Sequence, residues 1–151
     1  LNYSDKILKE KFEKNKVLNQ ITFLDKTNSF EEHINEYKKI DLALDTFPYN
    51  GVTTSFEAIW MGVPLLTLKG FNPISRAGES INKNLNMNYL IADNKDEYVL
   101  KAIELSKNFE KVIEIRKNIF DKALKSNLFN DKKFSKEFYE SLEKIYLNHS
   151  P

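Results

Sequence analysis

An α/β fold, with a mostly parallel sheet flanked by helices and further helices after it, is predicted by three observations. Short apolar segments rich in β-branched residues alternate with stretches of helical periodicity. Many of those helical stretches open on a residue able to cap a helix start, which marks their boundaries. Finally, Asp41–Asp45 is apolar between its ends, as expected of a strand covered on both faces.

Taken in order, residues 4–18 read as a helix, with Ser4 as N-cap and Ile7, Leu8, Phe12 and Val17 as its apolar stripe. Ile21–Leu24 is short, β-branched and aromatic, so it is expected to be a strand. Ser29-Phe-Glu-Glu32 forms a capping box for a helix that turns Phe30, Ile34 and Tyr37 inward. After the strand 41–45 comes a helix over 54–61, stopped by Gly62 and Pro64. Leu65–Leu68 is the third strand. Asn72-Pro73 opens another helix, and Tyr89–Ala92 is the fourth strand. Asn94 to Glu97 caps a helix carrying Tyr98, Val99, Ala102, Ile103 and Leu105. Two closing helices, about 109–125 and 131–147, have no strand partners; the second sets Phe134, Phe138, Leu142 and Ile145 on one face. They are expected to pack across the sheet or onto a further neighbour.

Composition narrows the function. With 151 residues, 41% hydrophobic and 30% charged, the chain has the size and balance of one globular domain over 1–151. A net charge of +1 gives no global pull toward nucleic acid or a membrane surface. The absence of cysteine excludes a disulfide scaffold or thiolate metal site and suits a cytoplasmic, reducing compartment. Two histidines far apart make zinc improbable, so no metal is expected. No apolar run approaches the roughly 18 residues of a membrane span, and no secretory signal is present. Because it opens at Leu1 straight into helical sequence, the chain is read as a fragment of a longer polypeptide.

Chemistry concentrates between Asp45 and Glu57. Pro48 ends the strand, and Asn50-Gly51 tolerates positive φ, allowing a tight turn and close ligand approach. Thr53 and Thr54 then stand at a helix start, where the macrodipole amounts to roughly half a positive charge. A helix N-terminus at the carboxyl end of a parallel strand suits a phosphate or diphosphate. Glu57, one turn on, is placed to accept both hydroxyls of a ribose. Thr54-Ser-Phe-Glu57 is equally a capping box, which needs no ligand, and both readings can hold together. Arg76 is read as pairing with Glu79, Trp60 as core, and Asp45 as a strand-end structural carboxylate. The Lys/Glu runs after residue 101 are solvated helix faces.

The stretch Leu44-Asp45-Thr46, Asn50-Gly51, Thr53-Thr54 and Trp60-Met-Gly62-Val-Pro64 resembles the donor-binding half of the O-linked N-acetylglucosamine transferase family, which includes SPINDLY-type and bacterial protein glycosyltransferases. The resemblance continues through Ser75-Arg76, Leu90-Ile91-Ala92, Asn94, Glu97-Tyr98 and Ser126 to Leu128-Phe129-Asn130. It implies a Rossmann-like domain, the C-terminal half of a glycosyltransferase B fold. It implies also an N-terminal glycosyltransferase half elsewhere, preceded by a repeat region of the tetratricopeptide kind for protein acceptors. Carried over residue by residue, Thr53 and Thr54 match the threonines that hold the donor diphosphate. Glu57 replaces the usual ribose-binding Asp, and His33 matches a histidine near the base. Val52 stands where a histidine is common, Phe30 where a phosphate-binding lysine is, and Glu36 where an arginine is. The implied function is donor binding, with UDP-N-acetylglucosamine, in an inverting protein O-glycosyltransferase that needs no metal or other cofactor. Alternatives are an epimerase, a fucosyl or glucosyl transferase of the same fold, or a non-catalytic scaffold.

Overall fold

The structure is a computed structural model that describes residues 3–149. The chain divides into two compact units, Leu1–Glu32 and His33–Pro151. In the first, α1 spans Tyr3–Lys14 and already includes Ser4, so the helix starts earlier than the expected cap. It ends before Val17: Lys16 takes a left-handed φ of 58°, which stops helical propagation. Phe12 packs edge-on against Phe23, with Lys9 Nζ 5.0 Å above the Phe23 ring.

Ile21–Leu24 is not a strand. A 3₁₀ turn at Leu18–Gln20 feeds unladdered chain, in which Phe23 packs on Phe12 while Leu24 is exposed. The Ser29 box is found in altered form. Ser29 Oγ accepts the Glu32 N–H at 3.1 Å, while the Glu32 carboxylate takes the N–H of Asn28 at 2.8 Å, one residue before the cap. The helix it starts, α2, spans Phe30–Glu36, and Phe30 is exposed rather than inward.

The second unit holds the sheet. Strands β1 (Ala43–Leu44), β2 (Leu65–Leu68) and β3 (Ile91–Ala92) run parallel in the order β1-β2-β3. The register pairs Ala43 with Leu65 and Thr67 with Ile91. β2 is buried at all four positions, as a central strand must be. β1 is shorter and more open than its apolar run predicts: it lies at the sheet edge, and Leu44 is exposed. The first half of Tyr89–Ala92 is also not strand, because Asn88–Leu90 winds into a 3₁₀ turn before β3.

Helices α3 (Thr53–Trp60), α4 (Ala77–Asn84) and α5 (Lys95–Lys107) pack on β2, and α6 (Phe109–Lys125) packs on α3. Gly62 ends α3 with φ at 77°, a C-cap conformation that only glycine adopts without strain. Asn94 caps α5 by accepting the Glu97 N–H at 2.9 Å. α6 buries Val112, Ile115, Ile119 and Ala123, a helical stripe that joins Ile59, Leu65, Ile81 and Leu85 in the core. α7 (Asp131–His149) leaves Phe134, Phe138, Leu142 and Ile145 exposed. Trp60 is not core either. Nearly half exposed, it meets Phe120 and Phe129 where α3 and α6 approach the Asn127–Phe129 turn. Among the described residues no helix is long and apolar enough to cross a membrane.

One buried charge is tied down in the first turn of α4. Glu79 is buried and pairs with Arg76 at 2.7 Å and Lys83 at 2.7 Å, as expected for Arg76. The Arg76 hydrogen bond, against the opposing cost of burial, holds the Glu79 carboxyl down at about 2 from the ordinary 4.5. Ionised Glu79 therefore stabilises the fold above pH 4.5, and that contribution is lost as pH falls toward 2. Glu79→Gln is expected to cost roughly 1–2 kcal/mol at pH 7, less than the full shift because both partners are half exposed. The gap to wild type should close across that acid window in urea denaturation.

Candidate functional site

The carboxyl end of β1, the following loop and the start of α3 line an open pocket of about 160 Å³. Its walls include Leu44, Asp45, Thr46, Gly51, Thr54 and Tyr37. α3 starts at Thr53 with Val52 as N-cap and no side-chain cap, and its first helical bond runs from the Phe56 N–H to the Val52 carbonyl. The amides before Phe56 precede that bond, so they fall among the donors that a helix leaves unpaired at its N-terminus. Thr53 and Thr54 are exposed there. The expected capping box of Thr54 with Glu57 is absent; Glu57 points elsewhere, so this end of the helix carries no internal carboxylate.

Gly51 does not use positive φ, contrary to the turn expected at Asn50-Gly51. Its glycine is required by close approach instead. A Cβ here would stand 2.6 Å from Thr54 Oγ1 and 2.8 Å from Ser55 Oγ. Ser55 Oγ donates to the Gly51 carbonyl at 2.9 Å. Asn50 is fully buried: its side-chain amide donates to the Thr46 carbonyl at 2.8 Å, and its N–H to the Ile74 carbonyl at 3.2 Å. It faces into the protein and fastens the loop from beneath.

Asp45 anchors that loop further. Its Oδ1 accepts the N–H groups of Thr46 at 3.0 Å and Gly51 at 2.8 Å, while Oδ2 accepts the Thr67 hydroxyl at 2.8 Å. Burial pushes its carboxyl above the usual aspartate value, opposed by those three hydrogen bonds. The Tyr98 hydroxyl donates to the Asp45 carbonyl at 3.0 Å, joining α5 to the same point. The structural role read for Asp45 is thus found, whereas Thr67 and Tyr98 carried no local signal in the sequence.

Glu57 and His33 are brought together. His33 Nε2 lies 3.0 Å from Glu57 Oε2, and the Tyr37 hydroxyl lies 3.0 Å from the same oxygen and 3.2 Å from the Thr54 carbonyl. The His33 and Tyr37 rings meet edge-on at 5.6 Å. His33 is the more open member, at 41% exposure of its side chain against 17% for Glu57. Tyr37, expected as a packing residue, instead fixes the Glu57 carboxylate. Its place one helical turn after His33 was the available signal. Among the described residues no group of three or more His, Cys, Asp or Glu is arranged to hold a metal ion.

Burial first, then the hydrogen bond and charge of Glu57, raises the Tyr37 phenol to about 12 from 10.0. A difference titration at 295 nm between wild type and Tyr37→Phe is expected to place this phenol near that raised value. In the Glu57→Gln background it should return only part of the way, because burial is the larger cause.

Comparison with known proteins follows the same contour. The model of the family described as glycosyl transferase family 41 matches residues 3–138. The chain is 36% identical over 115 residues to the probable UDP-N-acetylglucosamine–peptide N-acetylglucosaminyltransferase SPINDLY of Solanum lycopersicum, covering 76% of this chain and 12% of that protein. It is 30% identical over 132 residues to the UDP-N-acetylglucosamine–peptide N-acetylglucosaminyltransferase of Giardia intestinalis, covering 87% of this chain and 9% of that one. A mutant of the O-GlcNAc transferase from Thermobaculum terrenum superposes with a TM-score of 0.79 at 26% identity, over 93% of this chain and 27% of that structure. The chain thus spans about a tenth of the length of these curated relatives. The parallel sheet with its flanking helices has the architecture of a Rossmann-like half of a glycosyltransferase B fold, and this chain belongs to glycosyl transferase family 41.

Proposed function

We propose that this chain is the nucleotide-sugar-binding domain of a protein O-glycosyltransferase whose donor is UDP-N-acetylglucosamine. The observation that carries this reading is the N-terminus of α3: uncapped by any side chain, flanked by exposed Thr53 and Thr54, and opening beside a pocket at the end of a parallel strand. The names of the SPINDLY-type and Giardia relatives supply the donor class and the protein acceptor. Thr53, Thr54 and the first amides of α3 would take the diphosphate, with Gly51 allowing close approach and Asn50 fixing the loop. Glu57, held by His33 and Tyr37, would accept the ribose hydroxyls, and His33 would lie toward the base.

The chemistry follows from charge. When the sugar leaves for an acceptor hydroxyl, negative charge builds on the departing diphosphate. Donors and a dipole already aimed at that charge lower its energy without reorganising, the term that generally contributes most in transfer reactions. Helix-end donors fill this role in the proposal, so no metal or other cofactor is invoked. Acceptor activation is assigned to an N-terminal glycosyltransferase half, and the absence of cysteine suits a cytoplasmic setting.

Calorimetric titration with UDP is expected to show saturable binding that Thr53→Ala combined with Thr54→Ala weakens at least tenfold. GDP should bind more weakly than UDP. Equal or tighter GDP binding contradicts the donor assignment, and no binding of either at millimolar concentration contradicts the site.

A further inference from the structure

The loop between β1 and α3 is gripped by one buried side chain, Asp45, whose oxygens are taken up by the protein's own donors. Asp45 Oδ1 holds two successive features of that loop, the Thr46 N–H where it begins and the Gly51 N–H where it ends. Oδ2 is held in turn by Thr67 on β2. The fit is tight enough to dictate a neighbour: at Gly78 on α4, a Cβ would stand 2.4 Å from Asp45 Oδ2 and 2.3 Å from Thr67 Oγ1. Gly51 is therefore fixed from both sides, its N–H by Asp45 and its carbonyl by Ser55 Oγ. That carbonyl shares a rigid plane with the Val52 N–H, the first amide of the α3 terminus.

We infer that Asp45 is a positioning residue for the donor diphosphate, acting through Gly51 to fix where the first amides of α3 and Thr54 point. The inference rests on the donor-site reading above. Electrostatics alone argues against an acidic residue here, since a carboxylate beneath an anion site repels the anion. What Asp45 supplies is acceptor oxygens: one shared by two backbone donors of the loop, and one for a hydroxyl. Asparagine keeps the oxygen for both amides and can turn its Nδ2 to Thr67, whose hydroxyl can also accept.

The test is UDP affinity by calorimetry, measured at a temperature where circular dichroism shows each variant folded. Asp45→Ala is expected to weaken UDP binding at least tenfold, and Asp45→Asn to restore it to within threefold of wild type. Thr67→Val, which leaves the grip on Gly51 intact, should lower stability while keeping affinity within threefold. Should Asp45→Ala not fold, Asp45→Ser, whose oxygen falls short of the two amides, takes its place with the same expectation. A variant without the grip that binds UDP as well as wild type overturns the inference and leaves the donor site standing, provided wild-type binding still depends on Thr53 and Thr54. Asp45→Asn as weak as Asp45→Ala also overturns it, because the grip is then not what matters. Failure of wild type to bind UDP overturns the donor-site reading, and this inference with it.

Discussion

The whole arrangement at the carboxyl end of the sheet depends on the hydrogen bonds that converge on Asp45. A carboxylate buried at the end of an edge strand is costly unless its oxygens are satisfied. Here the two side-chain oxygens are satisfied by donors from the loop and from β2, and a fourth bond reaches the backbone carbonyl from α5. Those bonds turn the seven residues from Asp45 to Gly51 into a fixed bracket. Asn50 fastens the same bracket to Thr46 and to Ile74, so it is held from within and from below. α3 can then begin without a side-chain cap, since its starting geometry is imposed by the loop rather than by Thr54 and Glu57.

Freeing Glu57 from a capping role has a consequence one turn along. Its carboxylate faces His33 and Tyr37, making a polar cluster that links α2 and the turn after it to α3. An uncapped helix pole and a held carboxylate thus stand one turn apart on the same helix. The same geometry rationalises the glycines. Gly51 and Gly78 are demanded by the closeness of Thr54, Ser55, Asp45 and Thr67, not by backbone conformation.

Much of this was legible in the sequence where the signals are local. The short run Leu65–Leu68 predicts β2 with its observed limits, and Gly62 as a helix stop, the Asn94 cap and the pairing of Arg76 with Glu79 are equally local signals. The threonines at the α3 terminus and the structural role of Asp45 were also read correctly in position. What escaped is what depends on distant partners. Tyr98 and Thr67 meet Asp45 across 53 and 22 residues, a distance no spacing rule spans. Ile21–Leu24 has strand-like residues, yet no neighbouring backbone pairs with it in the described chain. Phe30 and Trp60 are expected inward on periodicity alone, and the closing helices across the sheet or onto a further neighbour; periodicity reports an amphipathic face and not what covers it.

The central claim is that the N-terminal pole of α3, bracketed by Asp45, holds a diphosphate. The most direct measurement is a crystal structure of the protein with UDP bound. The account predicts β-phosphate oxygens within hydrogen-bond distance of the Thr53 and Thr54 hydroxyls or amides, with the Asp45–Gly51 bond intact. Density for UDP elsewhere on the protein, with the start of α3 unoccupied at saturating nucleotide, would contradict it.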